Sequence, residues 1–162
     1  MFNAVVIVCS DKASKGLRKD TSGEYIKEFL TEKKFNVIEK KIISDDLEII
    51  KETLLYYSDE VKVDLIITTG GTGFSPRDNT PEATKQVILR EVPGIGEMLR
   101  YESYKITKRA FLSRGVSGIR NRTLIINLPG SLKAVKENLS FLGDVLNHGL
   151  KILKLIDTEC GV

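Results

Sequence analysis

The chain has 162 residues, of which 41% are hydrophobic and 29% are charged, a composition typical of one compact folded domain and not of a disordered or fibrous chain. Lysine and arginine number 25 against 22 aspartates and glutamates, and the net charge of +3 is too small to indicate a nucleic-acid-binding protein. The two cysteines, Cys9 and Cys160, form no CxxC pair, which argues against a disulfide framework and against structural zinc.

The first predicted unit is a strand, a loop and a helix. Ala4 to Cys9 is a short, continuous, largely β-branched run, which is typical of a strand buried on both faces of a parallel sheet. Thr21 and Glu24 have the spacing of a capping box, and the apolar residues between Ile26 and Leu30 recur with a helical period.

The same pattern then repeats. A second strand is predicted near Asn36 to Ile43, followed by Asp45 and Glu48 at capping-box spacing and by apolar residues on one helical face. The third strand, Asp64 to Thr69, ends at a glycine-rich loop, Gly70-Gly71-Thr72-Gly73.

The second half of the chain continues with helices and one more strand. Thr80 as N-cap, Pro81 at the first helical position and an acidic first turn predict a helix that ends near Glu91. The remaining predicted elements are helical pieces between Gly94 and Ser113, a strand from Arg122 to Asn127, the turn Pro129-Gly130-Ser131, and a helix from Leu132 to about Ile156.

Strands that alternate with helices predict an α/β fold, with a three-layer, doubly wound and largely parallel sheet that carries helices on both faces. In such sheets ligands bind beyond the carboxyl ends of the strands. Four loops are expected to converge there on one crevice: Ser10-Asp11, Ser44-Asp45, Gly70 to Gly73, and Pro129 to Ser131.

No apolar stretch approaches the roughly 18 to 20 residues of a membrane span, and the run at residues 4–9 lacks the length and the basic flank of a secretory signal. We therefore expect a cytoplasmic protein. Because the chain has no internal repeat, low-complexity tract or long linker, residues 1–162 are expected to form a single domain.

The glycine-rich loop after the third strand allows two interpretations. Its successive N–H groups can form a nest that binds an anion such as phosphate, or Gly70 to Gly73 is a tight turn that only needs positive φ angles. The sequence contains neither GxxxxGK[ST] nor GxGxxG, which disfavours an ordinary P-loop and a dinucleotide site.

The segment from Ser75 to Thr80 leads from this loop into a helix N-terminus. Arg77 offers a planar fork of donors that suits phosphate oxygens, and the helix start adds oriented N–H groups. Asp78, beside it, is a candidate carboxylate. The alternative is a surface loop with an ordinary arginine–aspartate pair.

Asp45 and Asp78 are candidate ligands for Mg²⁺. Asp45 taken alone is better explained as the N-cap of the following helix, but the two carboxylates could meet across the crevice from the glycine-rich loop. Magnesium-assisted phosphoryl or nucleotidyl transfer uses such an arrangement, because the metal prefers oxygen ligands and neutralises phosphate charge.

The Pro129-Gly130-Ser131 turn offers Ser131 as an N-cap and places Lys133 near a helix start, with simple capping as the alternative. An anionic ligand is favoured by further cationic residues on predicted loops, namely Lys12, Lys15, Arg114 and Arg120.

Several other residues have less specific roles. His148 is expected to be structural or solvent-exposed, and Cys9 is expected to be a small core residue without a catalytic partner. Tyr101, Tyr104 and Phe111 are predicted to pack either in the core or against another subunit.

Several motifs, taken in order along the chain, resemble a known family. They are Thr68 to Gly73, Ser75 to Thr84, Leu112-Ser113-Arg114 and Ile125 to Ser131. Together they closely resemble the molybdenum-cofactor biosynthesis proteins of the MogA/MoaB type, a group that includes the G domain of gephyrin. The resemblance runs through nearly the whole chain.

This resemblance implies a molybdopterin adenylyltransferase, in which the terminal phosphate of molybdopterin attacks the α-phosphate of Mg-ATP and releases pyrophosphate. It implies that Asp45 and Asp78 are essential. It also implies a homotrimer and leaves open a partner protein that inserts molybdenum. The residues that would contact the nucleotide phosphates or line the pterin and nucleotide crevice are Ser10, Gly70 to Gly73, Ser113, Arg114 and the turn from Pro129 to Lys133.

Two features depart from the family pattern and leave the MogA or MoaB subtype open. Ser44 stands where related proteins often carry proline, and the sequence ends soon after its last predicted helix. A pterin- or nucleotide-binding carrier or scaffold is therefore the alternative function. A third reading is the nucleotide-cleaving domain of competence-damage proteins, against which the Leu-Ser-Arg and Pro-Gly-Ser motifs argue.

Overall fold

The computed structural model describes residues 1–155, without the side chain of residue 144, so that Ile156 and Cys160 lie outside the described residues. In chain order the elements are β1 (Asn3–Cys9), α1 (Asp11–Ser14), α2 (Ser22–Glu32), β2 (Asn36–Ile43), α3 (Leu47–Leu55), a π-type turn (Tyr56–Glu60), β3 (Leu65–Thr69), α4 (Thr80–Val87), β4 (Arg90–Glu91), α5 (Pro93–Tyr104), a 3₁₀ turn (Lys108–Leu112), β5 (Ser117–Arg120), β6 (Thr123–Leu128) and α6 (Leu132–Leu153).

The strands form one six-stranded sheet in the order β2-β1-β3-β6-β5-β4. The first four strands in this order are parallel, whereas β5 and β4 add two antiparallel strands at one edge. Helices cover both faces of the sheet. The predicted three-layer, largely parallel α/β fold is confirmed, and the short antiparallel edge is a feature that was not predicted.

The core has two layers because successive side chains of a strand point to opposite faces of the sheet. On one face, Val6 of β1 packs in a cluster with apolar residues of α2, α5 and α6. On the other face, Val5 and Ile7 pack in a cluster with residues of α3 and α4. Both β3 and β6 are buried along their whole length, which explains their continuous apolar sequences.

Helix α4 begins and ends differently from the prediction. It ends at Val87 instead of near Glu91, because Ile88 has extended backbone angles (φ −69°, ψ 145°) and Arg90 pairs with Ile119 of β5. At the other end Thr80 is the first helical residue and not the cap. The Thr80 hydroxyl instead donates a hydrogen bond of 2.9 Å to the carbonyl of Gly70.

At two predicted helix caps the capping hydrogen bond is made by a neighbouring aspartate. At α2 the carboxylate of Asp20 accepts the N–H of Gly23 at 2.8 Å, and Thr21 makes no side-chain capping bond. At α3 the cap is Asp46, which accepts the N–H groups of two residues in the first turn. Asp45, predicted as the cap, is therefore free to make other contacts.

Other local predictions agree with the structure. The Ser131 hydroxyl caps α6 by accepting the N–H of Ala134 at 3.3 Å. Cys9 is buried, and His148 is exposed. None of the helices described is both long enough and apolar enough to cross a membrane.

Candidate functional site

The carboxyl ends of the parallel strands open into a cavity of about 550 Å³, which we call the carboxylate cavity. The four loops converge on it as the topology predicts. The predicted site residues that line it are Ser10, Asp45, Gly70, Gly71, Asp78, Gly130 and Ser131.

The first two glycines of the Gly70–Gly73 loop are required by its conformation. Gly70 and Gly71 have φ angles of +95° and +64°, a region that glycine adopts without the steric cost of a Cβ. A Cβ on Gly70 would lie 2.3 Å from the carbonyl oxygen of Cys9, and one on Gly71 would lie 2.4 Å from the hydroxyl oxygen of Thr80. At the wall of the cavity, Gly70 therefore packs against the backbone of Cys9 and Gly71 packs against the side chain of Thr80.

Asp45 presents one free carboxylate oxygen at this site. Its Oδ2 accepts the N–H of Asp11 at 2.8 Å, whereas Oδ1 is buried without a hydrogen-bond partner among the described residues. Burial raises the pKa of Asp45, and repulsion from Asp11 and Asp78 adds to the increase. A buried oxygen of this kind is costly unless something binds it.

Asp78 lines the same cavity. Its Oδ2 accepts the N–H of Ser75 at 2.9 Å, which fixes the carboxylate within its own loop. A Cβ on Gly73 would lie 2.8 Å from that oxygen, so glycine at position 73 leaves the room that the Asp78 carboxylate occupies. The expectation that Asp45 and Asp78 meet at one crevice therefore agrees with the structure.

Arg77 binds a protein carboxylate and lines neither cavity of the site. Its Nε and Nη2 each donate to Asp11 at 2.9 Å, a planar two-bond pairing. These bonds lower the pKa of Asp11 to about 2. The guanidinium donors of Arg77, which were considered as phosphate ligands, instead bind Asp11.

Arg114 likewise shapes the loop beside the cavity. Its Nε and Nη2 donate to the carbonyl oxygens of Gly73 and Asp78, each at 2.7 Å, and its Nη1 pairs with Glu82. The backbone N–H of Arg114 also donates to the carbonyl of Thr72 at 2.9 Å. Arg114 thus holds the segment from Thr72 to Asp78 against the 3₁₀ turn and the start of α4.

A second cavity of about 350 Å³ adjoins the first, and we call it the apolar cavity because Leu99, Ala110, Leu112 and Ala134 are part of its wall. Ser131 lines both cavities. The predicted site residues at the apolar cavity are Thr72, Gly73, Ser113, Pro129 and Ser131.

Some predicted residues lie outside both cavities, namely Ser75, Arg77, Arg114 and Lys133. Arg120, which was counted among cations near the site, lies at the opposite edge of the sheet, where it pairs with Asp59. That expectation is wrong because Arg120 ends β5, which runs antiparallel to β6.

Sequence reasoning missed several residues at the site. Arg18, Lys19 and Asp20 line the carboxylate cavity, and Lys40 pairs with Asp20 at 2.8 Å. Asp11 was visible as an acidic residue directly after a strand, but its partners are 34 and 66 positions away in the sequence. No local pattern reports a contact over such a separation.

The donor set fits Mg²⁺ with a small number of protein ligands. No group of three or more His, Cys, Asp or Glu side chains able to hold a metal occurs within residues 1–155. Mg²⁺ commonly binds one or two carboxylates and fills its other positions with water and substrate phosphates. The free buried Oδ1 of Asp45 and the neighbouring Asp78 match that requirement.

Comparison with known proteins identifies the family. The sequence family described as "Probable molybdopterin binding domain" matches residues 5–148, and the chain belongs to this family. Its relatives include the molybdopterin adenylyltransferase of Helicobacter pylori (strain J99), which is 47% identical over 136 residues, a match that covers 83% of this chain and 77% of that protein.

Two further relatives support the assignment. The molybdopterin adenylyltransferase of Escherichia coli (strain K12) is 40% identical over 151 residues, which cover 90% of this chain and 77% of that protein. The crystal structure of the molybdopterin biosynthesis enzyme MoaB from Thermus thermophilus superimposes with a TM-score of 0.89 at 44% identity, covering 94% of this chain and 96% of that chain.

Proposed function

We propose that this protein is a molybdopterin adenylyltransferase, which transfers AMP from Mg-ATP to the phosphate of molybdopterin and releases pyrophosphate. The observation that carries the proposal is that Asp45, Asp78 and the Gly70–Gly73 loop meet at one cavity, which adjoins a more apolar cavity at Ser131. The relatives named as molybdopterin adenylyltransferases support it.

The reaction is a displacement at the α-phosphate of ATP, and its nucleophile is the phosphate of molybdopterin. The protein therefore has to position two phosphates and stabilise developing charge. Burial raises the pKa of Cys9 to about 12, so the buried thiol stays protonated at neutral pH and is not a nucleophile. The phosphate of molybdopterin is itself the nucleophile, so the proposed reaction needs none from the protein.

The walls of the two cavities suggest where each part of the substrates binds. The backbone N–H of Gly71 and the N-terminus of α6 at Ser131 are suited to phosphate oxygens, whereas the N–H of Gly70 donates to the carbonyl oxygen of Leu128 at 3.2 Å. The apolar cavity, with Leu99, Leu112, Ser103 and Asn138 in its wall, is suited to a flat ring that has apolar faces and a polar edge. We therefore assign the nucleotide to the carboxylate cavity and the pterin to the apolar cavity.

Magnesium is part of the proposal, with Asp45 and Asp78 as the residues that would hold it. When bound, Mg²⁺ neutralises phosphate charge and orients the triphosphate. Asp45 contributes its free Oδ1, while its other oxygen stays bonded to Asp11. Asp78 contributes a carboxylate whose position is fixed by Ser75.

The experiment that tests the proposal combines purified protein with molybdopterin, ATP and magnesium. Mass spectrometry should detect adenylylated molybdopterin, and pyrophosphate should be released only when molybdopterin is present. The same mixture with a chelator in place of magnesium should give no product. Binding of both substrates without pyrophosphate release would refute the enzymatic proposal.

That last outcome would support the second candidate, a MoaB-like carrier or scaffold that binds molybdopterin and nucleotide without efficient transfer. The description of the family as a molybdopterin binding domain, which names binding and no reaction, favours keeping this candidate. The two proposals share the binding site and differ only in the chemical step, so pyrophosphate release separates them.

We also propose that the protein is a cytoplasmic homotrimer that delivers its product to a molybdenum-inserting partner. Exposed aromatic residues on α5 and the following turn support self-association, since Tyr101, Tyr104 and Phe111 are 61%, 41% and 54% exposed. Large exposed apolar groups often lie in subunit contacts. Light scattering on the wild type and on Phe111→Asp tests this, and a wild-type monomer would refute it.

A further inference from the structure

Asp11 occupies the centre of a set of contacts that joins three loops of the carboxylate cavity. It follows β1, it bonds to Asp45 after β2, and it pairs with Arg77 in the loop that carries Asp78. We infer that Asp11 is a positioning residue, which sets the placement of the Asp45 and Asp78 carboxylates for adenylyl transfer. This inference rests on the proposed function.

The contact between Asp11 and Asp45 is reciprocal. The N–H of Asp11 donates to Oδ2 of Asp45 at 2.8 Å, and the N–H of Asp45 donates to Oδ1 of Asp11 at 3.0 Å. Two bonds in opposite directions fix both the backbone and the side chain of Asp45. They also determine which oxygen of Asp45 stays free, because Oδ2 is engaged and Oδ1 has no partner among the described residues.

The contact between Asp11 and Arg77 extends this set to the third loop. The guanidinium donates to both carboxylate oxygens of Asp11 at 2.9 Å. Two residues further on, the side-chain amide of Asn79 donates to the carbonyl oxygen of Asp45 at 2.9 Å. The segment that carries Asp78 is thus anchored on both sides of that residue.

The choice of a carboxylate at position 11 supports a positioning role. A negative charge there repels the carboxylate of Asp45, whereas the pairing with Arg77 stabilises that charge. Asparagine would offer the N–H of Asp45 an acceptor without that repulsion. Only a carboxylate, however, can accept both donors of the Arg77 fork while it also accepts the N–H of Asp45.

Asp11→Asn is the variant that tests the inference, because it keeps an acceptor and removes the charge. The matched control is Asp59→Asn, which alters another arginine–carboxylate pair, with Arg120, at the opposite edge of the sheet. Stability, kcat and KM for ATP are measured for both variants. Affinity for Mn²⁺ in the presence of a non-hydrolysable ATP analogue is measured by electron paramagnetic resonance.

We expect Asp11→Asn to lower kcat by about 10- to 100-fold and to weaken Mn²⁺ binding by a similar factor, as is typical when a residue that orients a ligating side chain is replaced. The KM for Mg-ATP should rise as the Mn²⁺ affinity falls, because the metal and the nucleotide bind as one complex. Asp59→Asn should keep wild-type kcat and Mn²⁺ affinity even where it loses as much stability as Asp11→Asn. A purely structural role of Asp11 would not produce this separation.

Unchanged kcat and Mn²⁺ affinity in Asp11→Asn would overturn the inference and leave the proposed function standing. If the wild type itself made no adenylylated product, the proposed function would fail, and the Mn²⁺ titration would then decide the role of Asp11 alone. If Asp11→Asn did not fold, Arg77→Gln would carry the test, since it removes only the fork. Wild-type kcat and Mn²⁺ affinity in Arg77→Gln would then overturn the inference.

Discussion

Asp45 and Asp46 are adjacent in the sequence, but the structure gives them separate roles. Asp45 lines the carboxylate cavity, whereas Asp46 accepts two N–H groups in the first turn of α3. We expect Asp46→Ala to lower the free energy of unfolding by about 1 kcal/mol, the usual effect of losing a helix cap, and to leave adenylyl transfer unchanged. We expect Asp45→Asn to lower transfer by about 100-fold or more.

The expected effect of Asp45→Asn on stability has the opposite sign. Burial, followed by repulsion from Asp11 and Asp78, raises the pKa of Asp45 above 3.8. The folded protein then binds more protons than the unfolded chain between these two pKa values, so stability falls as the pH rises through that interval. At neutral pH the charged Asp45 lowers stability. Asparagine removes this charge and keeps an acceptor for the N–H of Asp11, so the variant should be as stable as the wild type or more stable.

Urea unfolding and product formation, measured on the same preparations, test both expectations. With a urea m-value of about 2 kcal/mol/M, the loss expected for Asp46→Ala lowers the unfolding midpoint by about 0.5 M. The midpoint for Asp45→Asn should not fall. If Asp45→Asn lost stability and kept full transfer, the assignment of Asp45 to the reaction would be wrong.

Three further predictions follow from the same contacts. Asp78→Ala should keep the fold, as judged by circular dichroism, and lower adenylyl transfer by about 100-fold or more; normal turnover would remove Asp78 from the reaction. Gly16 has open space around it, so Gly16→Ala should lower the free energy of unfolding by about 1 to 2 kcal/mol because of the positive φ angle alone. Gly71→Ala should lose more stability, because its Cβ would also lie 2.4 Å from a hydroxyl oxygen. Calorimetry should show that Gly71→Ala loses nucleotide binding as well. Arg77 lowers the pKa of Asp11 from 3.8 to about 2, so the stability that the ionised Asp11 contributes is complete above pH 3.8 and disappears as the pH falls through about 2. The stability difference between the wild type and Asp11→Asn, measured from urea midpoints above and below this range, should therefore disappear at low pH. A difference that is independent of pH would contradict the ion pair.

All four parallel strands were predicted, including the edge strand β2 (Asn36–Ile43), which is mostly exposed. The runs at Ala4–Cys9, Leu65–Thr69 and Thr123–Leu128 are continuous and apolar because both faces of the sheet are covered. The two antiparallel strands, Arg90–Glu91 at the edge of the sheet and Ser117–Arg120 next to it, are short and partly exposed. Their pairing depends on distant partners, so local sequence predicted the first of them as the end of a helix.

The helix caps show a different limit of sequence reasoning. Aspartates at positions 45 and 46 have the same chemistry, and capping-box spacing selected Asp45 because Glu48 follows it by three positions. The backbone places Asp46 at the cap and turns Asp45 toward Asp11. The sequence therefore predicted a capped helix at the right place, but the tertiary contact with Asp11 decided which aspartate became available for the site.

Arg77 and Arg114 were predicted to bind the ligand, but both bind protein groups in the structure. This difference affects how a triphosphate would bind. The guanidinium of Arg77 pairs with Asp11, and that of Arg114 pairs with Glu82. The cationic side chains that line the carboxylate cavity, Arg18 and Lys19, are outnumbered by the carboxylates of Asp20, Asp45 and Asp78. A fully ionised triphosphate would therefore enter a cavity without excess positive side-chain charge, and free backbone N–H groups supply only partial charges. This balance favours the magnesium complex of ATP, and not free ATP, as the species that the cavity binds.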